Sequence, residues 1–470
     1  MLPNPKSYAI YPTVVPADKQ TEMTVVPTER AFLFFEGQEY TVKIIAVDGD
    51  DSYYDIQSHR LVTAVAHDGV LKFSYTFEGE QEYLLLLNPD APKPVELHVY
   101  SLREDLYALM PLKGDFHGHS FRSDGKRDPA ALAGHYREQG YDFFSLTDHN
   151  RYYPGGEIDE TYAGVKLGIT RVLGEEIHCP DSVIHIVHVG GKKSVTERYV
   201  HDRESYEEEI ADYMTKVPAE IPEAYRSRYA KAMWATDAIH KAGGLAIFPH
   251  PYWRPNPTKM HNVRDELARI LLTSGMFDAY ELLGGMGQVG CNRSVALWGE
   301  ARAEGVKIPV VGSSDVHGLY RSVQFPHLFT VCFAEKNEND SIIDAVRKGN
   351  TVAVEAVGAE YDREYRCYGS LRLVSYAQFL LTYYFPELQR ICQGEGVAMR
   401  TYAMKQGSAE LVELQVTQTK QFVDQYFGRR APILPDESIR AFEEKWRERH
   451  LRGPETKGSS LTVNRGNRQI

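Results

Sequence analysis

The sequence has few cysteines, no long apolar run and no excess of basic residues. Its five cysteines are odd in number and scattered, which predicts free thiols in a reducing cytoplasm rather than a disulfide framework. No run approaches the roughly 18 to 20 apolar residues that span a bilayer, and no signal peptide is recognisable, so we expect a cytoplasmic protein with no membrane partner. The formal net charge of −12 disfavours binding of long nucleic acids, although a local basic pocket stays open.

The remaining composition is that of a globular protein. Hydrophobic residues make up 43% and charged residues 25% of the chain, which excludes collagen-like and disordered classes. At roughly 150 residues per domain, 470 residues predict about three units. Histidine is unevenly distributed, because 12 of the 17 histidines lie between His117 and His317. We therefore expect the catalytic or metal-binding residues in the middle of the chain.

Residues 1–110 have the pattern of an all-β domain. Apolar and polar residues alternate over 71–77, the period of a strand with one buried face. Similar runs at 41–47, 83–87 and 95–102 are separated by turn-forming residues. A β-sandwich of about seven strands is the natural packing for such a set, and this is the fold that we predict for the first domain.

Residues 111–360 instead alternate short strands with helical patterns. Predicted strands lie at 141–147, 183–189, 244–248, 279–283 and 308–312, and predicted helices at 129–139, 264–274 and 293–304. Repeated β-then-α over this length predicts parallel strands in an α/β barrel. A highly charged insertion at about 196–243 predicts two helices outside this rhythm. Residues 361–470 predict a C-terminal helical extension that ends in a polar tail.

Histidines and acids follow the predicted strands at their carboxyl ends. His117 and His119 alternate along one strand, so both can reach one metal ion. Further donors follow in the next loop and along the later strands, namely Asp124, His149, the Glu175–Glu176 pair, His185, His250, Asp315 and His317. In a barrel of parallel strands these ends face one side, so the donors can converge. Two or three divalent ions that share a bridging carboxylate would use them, and the lack of thiolates in the set excludes an iron–sulfur site.

The motifs that carry these donors resemble those of the PHP (polymerase and histidinol phosphatase) superfamily. In family order they are His117-x-His119, Ser123-Asp124-Gly125, Thr147-Asp148-His149-Asn150, Gly174-Glu175-Glu176, Ile184-His185-Ile186-Val187, Phe248-Pro249-His250-Pro251 and Ser314-Asp315-Val316-His317. The resemblance is nearest to the bacterial metal-dependent phosphoesterase branch, which includes nucleoside bisphosphate phosphatases. It covers residues 112–357 and leaves out the first hundred residues and the C-terminal helices.

The resemblance implies a distorted (βα)7 barrel with a trinuclear metal site. One ion would take His117, His119, Glu176 and Asp315, a second Glu176, His185 and His250, and a third Asp124, His149 and His317. Catalysis would depend on His117, His119, Glu176, Asp315 and His317. The family has its acid directly before an Ile-like position, which favours Glu176 over Glu175 as the bridge. Zn, Mn, Fe and Mg all suit histidine and carboxylate ligands, so the metal stays open.

Several residues beside these positions have open roles. His178 and His188 are additional histidines that either support the ligands or belong to a subfamily feature. Asp115 and Asp148 either orient neighbouring ligands or serve as plain strand ends. Four aromatic residues could stack on a base or sugar, although packing at the rim is favoured for them: Tyr152, Tyr153, Tyr252 and Trp253.

The expected reaction is hydrolysis of a small phosphomonoester, of nucleotide or sugar phosphate type, by a metal-activated water. Phosphate oxygens that no metal binds favour guanidinium groups. Arg293 is the first candidate because it is predicted to open a helix at the active face, with an ion pair to an acid as the alternative. Arg254, Arg122 and Arg151 follow as further candidates for substrate binding.

Two other functions stay open at the level of the sequence. An exonuclease-type phosphodiesterase would use the same metals, although the negative net charge and the lack of a recognisable single-strand channel argue mildly against it. A metal-holding binding or sensory module without catalysis is the alternative of another class. The complete set of ligands argues against such a module, and the oligomeric state is left open.

Overall fold

The structure is a computed structural model that describes residues 7–48, 60–91, 93–254, 260–319, 325–358 and 363–450. Its contacts divide the chain into two compact units, one of Met1–Ala108 with Lys420–Ile470 and one of Leu109–Thr419. Within the described ranges, no helix has both the length and the apolar character needed to cross a bilayer. The predicted polar tail at 457–470 lies outside the described residues.

The first unit is rich in β-structure, as predicted. Its strands are β1 (Tyr8–Tyr11), β2 (Val14–Pro16), β3 (Gln20–Pro27), β4 (Glu39–Ala46), β5 (Arg60–His67), β6 (Val70–Thr76), β7 (Gln81–Leu87) and β8 (Val95–Leu102), followed by α1 (Glu104–Tyr107). They pair in the order β1-β3-β6-β5-β4-β7-β8-β2. Alternate residues are buried, as in Tyr40, Val42 and Ile44 of β4, and they form one apolar core. The sandwich arrangement of these strands stays a prediction.

The second unit contains a barrel-like sheet of ten strands. These are β9 (Met110–Asp115), β10 (Phe143–Leu146), β11 (Thr170–His178), β12 (His185–Val189), β13 (Leu245–Phe248), β14 (Ala279–Leu283), β15 (Val310–Gly312), β16 (Leu328–Ala334), β17 (Thr351–Val357) and β18 (Glu364–Tyr368). The pairing order is β15-β14-β13-β12-β11-β10-β9-β16-β17-β18. The sheet curls back on itself, so that β15 at one end of this order meets β16 near the other end. There, Gly312 N in β15 donates to Thr330 Oγ1 in β16 at 3.0 Å.

Three strands within residues 111–360 depart from the predicted parallel arrangement. β16 is antiparallel to β9, and β17 is antiparallel to β16. β12 is antiparallel to both β11 and β13, whereas β9, β10 and β11 are parallel, as are β13, β14 and β15. The cause for β12 is the short connection 179–184 between β11 and β12, which has no room for the crossover helix that parallel neighbours need. His185 at the start of β12 therefore lies opposite His178 at the end of β11.

The further α-helices of the described residues lie between these strands or after them in the chain. They are α2 (Pro129–Glu138), α3 (Gly156–Thr161), α4 (Glu197–His201), α5 (Arg203–Lys216), α6 (Arg226–Lys241), α7 (Asp265–Thr273), α8 (Gly287–Ala303), α9 (Asn339–Arg347), α10 (Leu371–Tyr383), α11 (Phe385–Ala403), α12 (Ala409–Tyr426) and α13 (Glu437–His450). The boundaries predicted for α2 and α7 differ from these by one residue at most. α8 begins at Gly287, so Arg293 lies in its second turn rather than at its start.

Contacts assign α10 and α11 to the second unit and α13 to the first, and the C-terminal extension at 361–470 stays a prediction. α11 packs in the second unit, where its buried Glu395 accepts a hydrogen bond from Arg137 Nε of α2 at 2.8 Å. The backbones approach closely there, because a Cβ on Gly396 would lie 2.4 Å from the carbonyl oxygen of Gly134. A buried ion pair and a glycine contact thus tie this helix to the barrel-like unit.

Candidate metal centre

Glu176, near the end of β11, is the centre of the site. Its side chain is 1% exposed, and its two carboxylate oxygens face different sets of imidazoles. Oε2 lies 2.8 Å from His149 Nδ1, 3.4 Å from His117 Nε2 and 3.5 Å from His119 Nε2. Oε1 lies 2.9 Å from His185 Nδ1, 3.2 Å from His250 Nε2 and 3.3 Å from His178 Nε2.

Strand geometry brings Glu176 to this position. Neighbouring side chains of a strand point to opposite faces, so Ile177 enters the apolar core while Glu176 faces the cluster. Past the end of β10, the backbone of Glu176 still pairs with the adjacent chain. Its N–H donates to Thr147 O at 3.2 Å, and its carbonyl accepts from Asn150 N at 2.9 Å. This bridge brings His149 beside the carboxylate.

Two aspartates complete the cluster on either side of His119. Asp315 Oδ1 lies 3.0 Å from His119 Nε2 and 3.5 Å from His117 Nε2. Asp124, in the loop after β9, is more exposed, and its oxygens lie 3.3 Å from His149 Nε2 and 3.2 Å from His317 Nε2. The more exposed donors thus define the side from which a substrate can approach.

The structure brings together all nine residues predicted as ligands. Four groups of donors lie close enough to hold an ion: His119, Asp124, His149 and His317; His117, His119 and Asp315; His117, Glu176 and His250; and His149, Glu176 and His178. His185 lies beside Glu176 rather than in one of these groups. His178, which was outside the predicted set, belongs to the fourth.

The backbone at two of these donors is strained. Asp315 has φ +51° and His250 has φ +21°, in the left-handed region that residues with a Cβ rarely adopt. Such strain persists only where the surrounding structure enforces it, and it is concentrated at functional positions. Gly285 makes room for the conformation of Asp315, because a Cβ there would lie 2.0 Å from Asp315 Oδ2.

Glu281 of β14 is a functional carboxylate that the sequence analysis missed. Its Oε2 lies 2.8 Å from His117 Nδ1, and both side chains are buried. A carboxylate on the outer nitrogen fixes the ring orientation and directs Nε2 toward the cluster. A Cβ on Gly284 would lie 1.9 Å from Glu281 Oε1, so glycine is needed there. The signal available in the sequence was an acid within the apolar run 279–283.

Asp115 and Asp148 act on the backbone that carries the ligands. Buried Asp115 accepts from His117 N at 3.1 Å and from Ser314 N at 3.0 Å, which links β9 to the segment before Asp315. Asp148 accepts from Ser120 N at 2.8 Å and orders the loop after His119. The sequence left open whether Asp115 and Asp148 orient neighbouring ligands or are plain strand ends. These hydrogen bonds support the first role for both residues.

Of the adjacent glutamates, Glu176 enters the cluster and Glu175 does not. Glu175 Oε1 lies 3.0 Å from His188 Nδ1 and accepts from Val195 N at 2.6 Å. Its Oε2 accepts from Ser194 Oγ at 2.7 Å. The extra histidine His188 is thus paired with Glu175 away from the cluster, whereas the extra histidine at 178 joins it.

Electrostatic coupling favours carboxylate anions and divides the imidazoles into two groups. Burial by itself would lower the pKa of four of the rings, but neighbouring carboxylates outweigh burial and raise that pKa, at His117, His149, His250 and His317. Burial raises the pKa of Glu176, but the charge of His117 and the polar contacts of His117 and His149 outweigh burial and bring that pKa well below its ordinary value. Burial lowers the pKa of both His119 and His185 to about 4, against the pull of neighbouring carboxylates. Unprotonated imidazoles at 119 and 185 have lone pairs available for a cation.

The donor set fits divalent cations. Buried atoms without a hydrogen-bond partner in the described chain include His117 Nε2, His119 Nδ1 and Nε2, His149 Nδ1, His185 Nδ1 and Glu176 Oε2. Leaving so many buried polar atoms unpaired is costly, whereas a shared cation would satisfy them together. The set contains only nitrogen and oxygen donors, which suits Zn, Mn, Fe or Mg.

Arg293 has the ion pair that was the alternative to substrate binding. Its Nη2 lies 2.6 Å from each carboxylate oxygen of Asp265. Its guanidinium also lies over the ring of Tyr252, with 5.1 Å between Cζ and the ring centroid. The guanidinium is therefore already engaged, and its role toward a substrate stays a prediction.

The other three arginines have different surroundings. Arg122 makes a two-point ion pair with Glu157, at 2.7 Å from Nε and 3.0 Å from Nη2. Arg254 Nη2 lies 2.8 Å from His261 Nε2. Arg151 is exposed in the loop after His149. Their predicted contacts with substrate stay predictions.

No family model matches the chain, and no curated protein matches it. Among solved structures, one match is a two-domain protein from Bacteroides vulgatus with a predicted PHP-like metal-dependent phosphoesterase domain, at 20% identity and TM-score 0.37. It covers 52% of this chain, and the chain spans 65% of that protein's length.

Two further matches have similar or lower scores. A putative metal-dependent phosphoesterase from Bifidobacterium adolescentis is 18% identical, with TM-score 0.31, over 44% of this chain and 87% of that one. An amidohydrolase from Chromobacterium violaceum, described with bound sulfate and no metal, is 17% identical, with TM-score 0.30, over 45% and 89% of the two chains. At low identity, the chain is similar to two proteins described as metal-dependent phosphoesterases, one of them PHP-like, and to an amidohydrolase.

Proposed function

We propose that this chain is a metal-dependent phosphoesterase of the PHP superfamily that hydrolyses a small phosphomonoester of nucleotide or sugar phosphate type. The observation that carries the proposal is the convergence of buried, unpartnered imidazole nitrogens on the carboxylate of Glu176. The proposal includes the distorted (βα)7 barrel, and Zn, Mn, Fe or Mg as the metal. It also includes a cytoplasmic location, which five free cysteines favour.

A trinuclear arrangement is the proposed form of the centre. A bridging carboxylate needs each oxygen to face a different set of ligands, and Glu176 has Oε2 toward His117 and His149 and Oε1 toward His185 and His250. Asp124 offers two oxygens to a further set on the exposed side. This division supports a pair of bridged ions and a third that is nearer to solvent.

Divalent ions bound there would activate a water for attack on phosphorus and would balance the charge of the phosphate oxygens. The chain itself supplies orientation. Glu281 holds the ring of His117, and Asp115 holds the backbone on both sides of the cluster. A prearranged centre of this kind stabilises developing charge without reorganisation during the reaction. Local cationic charge also explains how a chain with net charge −12 could bind an anion.

The aromatic ring of Trp253 beside the cluster supports a substrate with an organic leaving group. The half-buried ring of Trp253 lies 5.9 Å from the ring of His185 and 6.4 Å from that of His250, between centroids. An indole at this distance can stack on a base or cover a sugar. A nucleotide or sugar phosphate would place its phosphoryl group at the metals and its base or sugar against the Trp253 ring.

The test is turnover by apo protein that has been reloaded with one metal at a time. The panel is p-nitrophenyl phosphate, its bis ester, nucleotides and short oligonucleotides. We expect monoester turnover that is lost in Asp315→Ala and kept in His201→Ala, a matched change at an exposed histidine of α4. Turnover of diesters alone would favour the exonuclease-type alternative. No turnover with metals fully bound would favour the metal-holding binding module.

A further inference from the structure

His178 is the tenth donor at the cluster and lies outside the nine-residue set. It is two residues beyond Glu176 in β11, so both side chains face the same side of the sheet. In the antiparallel pairing with β12, His178 is directly opposite His185. Side chains of directly opposite residues share a face, and the two rings stack with 3.7 Å between centroids.

The inner nitrogen of His178 points into the cluster rather than to solvent. The side chain is 29% exposed, yet Nε2 is buried and has no hydrogen-bond partner in the described chain. Nε2 lies 3.3 Å from Glu176 Oε1. With His149 and Glu176 it forms a group of three donors whose atoms lie within 4.8 Å of one another. Three donors at such spacing are enough to hold one cation.

The ring is held in this position by its surroundings. His178 N donates to Asn150 Oδ1 at 3.0 Å, and that oxygen also accepts from the hydroxyl of Tyr199. Asn150 has φ +53°, a conformation that the surrounding contacts must enforce. His178 is therefore fixed both by the strand pairing and by the loop that carries His149. A prearranged donor loses little conformational freedom when it binds an ion.

We propose that His178 is a further metal ligand, which completes a divalent cation site with His149 and Glu176. The inference rests on the proposed metal centre but not on the proposed reaction. It also separates the two additional histidines. Each has a buried Nε2 without a hydrogen-bond partner, but Nδ1 of His188 lies against Glu175 away from the cluster, whereas Nε2 of His178 lies 3.3 Å from Glu176 Oε1 within it.

The direct test is metal binding by chelator-stripped protein. Zn²⁺ or Mn²⁺ is titrated against a chromophoric competitor, and bound ions per chain are counted by mass spectrometry after dialysis. We expect His178→Ala to lose one bound ion per chain, or to bind one ion at least tenfold more weakly, while His201→Ala matches the wild type. Equal ion counts with affinities within twofold of the wild type would overturn the proposal.

A second readout separates ligation from packing. The melting temperature is measured for each variant without metal and with saturating Zn²⁺, since a ligand of the native state stabilises it by mass action. We expect His178→Ala to keep the metal-free melting temperature and to show a smaller rise with Zn²⁺. A lower metal-free value with an unchanged rise would mean that His178 serves packing alone, which would overturn the proposal.

Neither readout depends on turnover. A wild type that binds metal but hydrolyses nothing on the substrate panel would overturn the proposed function, and loss of an ion in His178→Ala would still support the ligand. A wild type that binds no metal would overturn both. If the wild type hydrolyses a phosphomonoester and His178→Ala binds as many ions as the wild type, the proposed function is supported. The proposal that His178 is a metal ligand is then overturned.

Discussion

Glu175 and Glu176 are adjacent in β11 but face opposite sides of the sheet, and their side chains have different kinds of hydrogen-bond partner. Glu175 and Glu176 are both buried, and each is next to histidine. Around Glu175 the partners include groups that always donate, namely a backbone N–H at Val195 and a hydroxyl at Ser194. Around Glu176 the side-chain partners are imidazole nitrogens, several of them unpartnered.

The difference shows that burial and residue type do not by themselves separate a structural acid from a metal-binding one. A buried carboxylate is satisfied when donors with fixed protons surround it, as at Glu175. It is unsatisfied when its neighbours can equally be acceptors, as at Glu176, and a shared cation then resolves the conflict. The nature of the partners therefore separates the two glutamates.

The largest expected effect is on turnover in Glu176→Gln. Removing the bridging charge should lower kcat/KM by about 10³-fold, equivalent to about 4 kcal/mol in transition-state energy. The number of bound ions should fall with it, which mass spectrometry would count. Full metal content in this variant would contradict a bridging role and would make the two glutamates alike.

The second expected effect is on stability when metal is removed. An ion at about 100 times its dissociation constant stabilises the native state by about 2.7 kcal/mol. EDTA should therefore lower the unfolding free energy of metal-loaded wild type, measured by urea denaturation. The effect should nearly vanish in Glu176→Gln and persist in Glu175→Gln. Equal responses of the two variants to EDTA would mean that Glu175 and Glu176 contribute equally to metal binding.

Glu175→Gln should lose stability instead of metal. Replacing a charged acceptor of backbone and hydroxyl hydrogen bonds should cost about 2 kcal/mol of unfolding free energy in the metal-free protein. Bound ions should stay at the wild-type number, because this side chain faces away from the cluster. Urea denaturation and metal analysis on one preparation would check both. A variant that keeps its stability but loses an ion would assign Glu175 to the metal centre.

Glu281→Gln tests an intermediate case, a carboxylate that acts through a ligand. Glutamine keeps the size of the side chain but removes the charge opposite His117 Nδ1. We expect metal affinity to fall about tenfold, with the number of ions at saturation unchanged. Competition titration would measure the affinity. Loss of a whole ion would instead make Glu281 a direct ligand.

The smallest expected effect is on the surface pair of Arg293 with Asp265. Both side chains are largely exposed, so Asp265→Asn should change the unfolding free energy by about 1 kcal/mol or less. If Arg293 binds substrate, freeing it from Asp265 should lower KM for a phosphomonoester and leave kcat unchanged. An unchanged KM would leave Arg293 with the ion pair alone.

The metal-binding donors and several strand and helix boundaries could be predicted from the sequence alone. The boundaries predicted for 95–102 and 279–283 are those of β8 and β14. Such boundaries depend on local apolar periodicity, which is present in the chain itself. The antiparallel β12 was not foreseen, because strand direction depends on which neighbours a short connection allows.

Residues that act through partners far along the chain were the ones missed. Glu281 meets His117 across 164 positions, and Glu395 meets Arg137 across 258. An acid within an apolar run signals a buried partner without saying which one. The start of α8 was predicted at 293 rather than at Gly287, because it depends on how the chain leaves β14.

The donors can be read from the amino-acid sequence, and their order along the predicted strand ends already pointed to a metal centre without thiolates. The family resemblance favoured Glu176 over Glu175, but the atoms that set the two glutamates apart, and the position of His178 beside the cluster, are visible only in the folded chain. Whether a donor has a partner is set by the atoms that surround it, and folding brings those atoms from distant parts of the chain. Glu175 found fixed donors at Ser194 and Val195, and Glu176 found imidazoles.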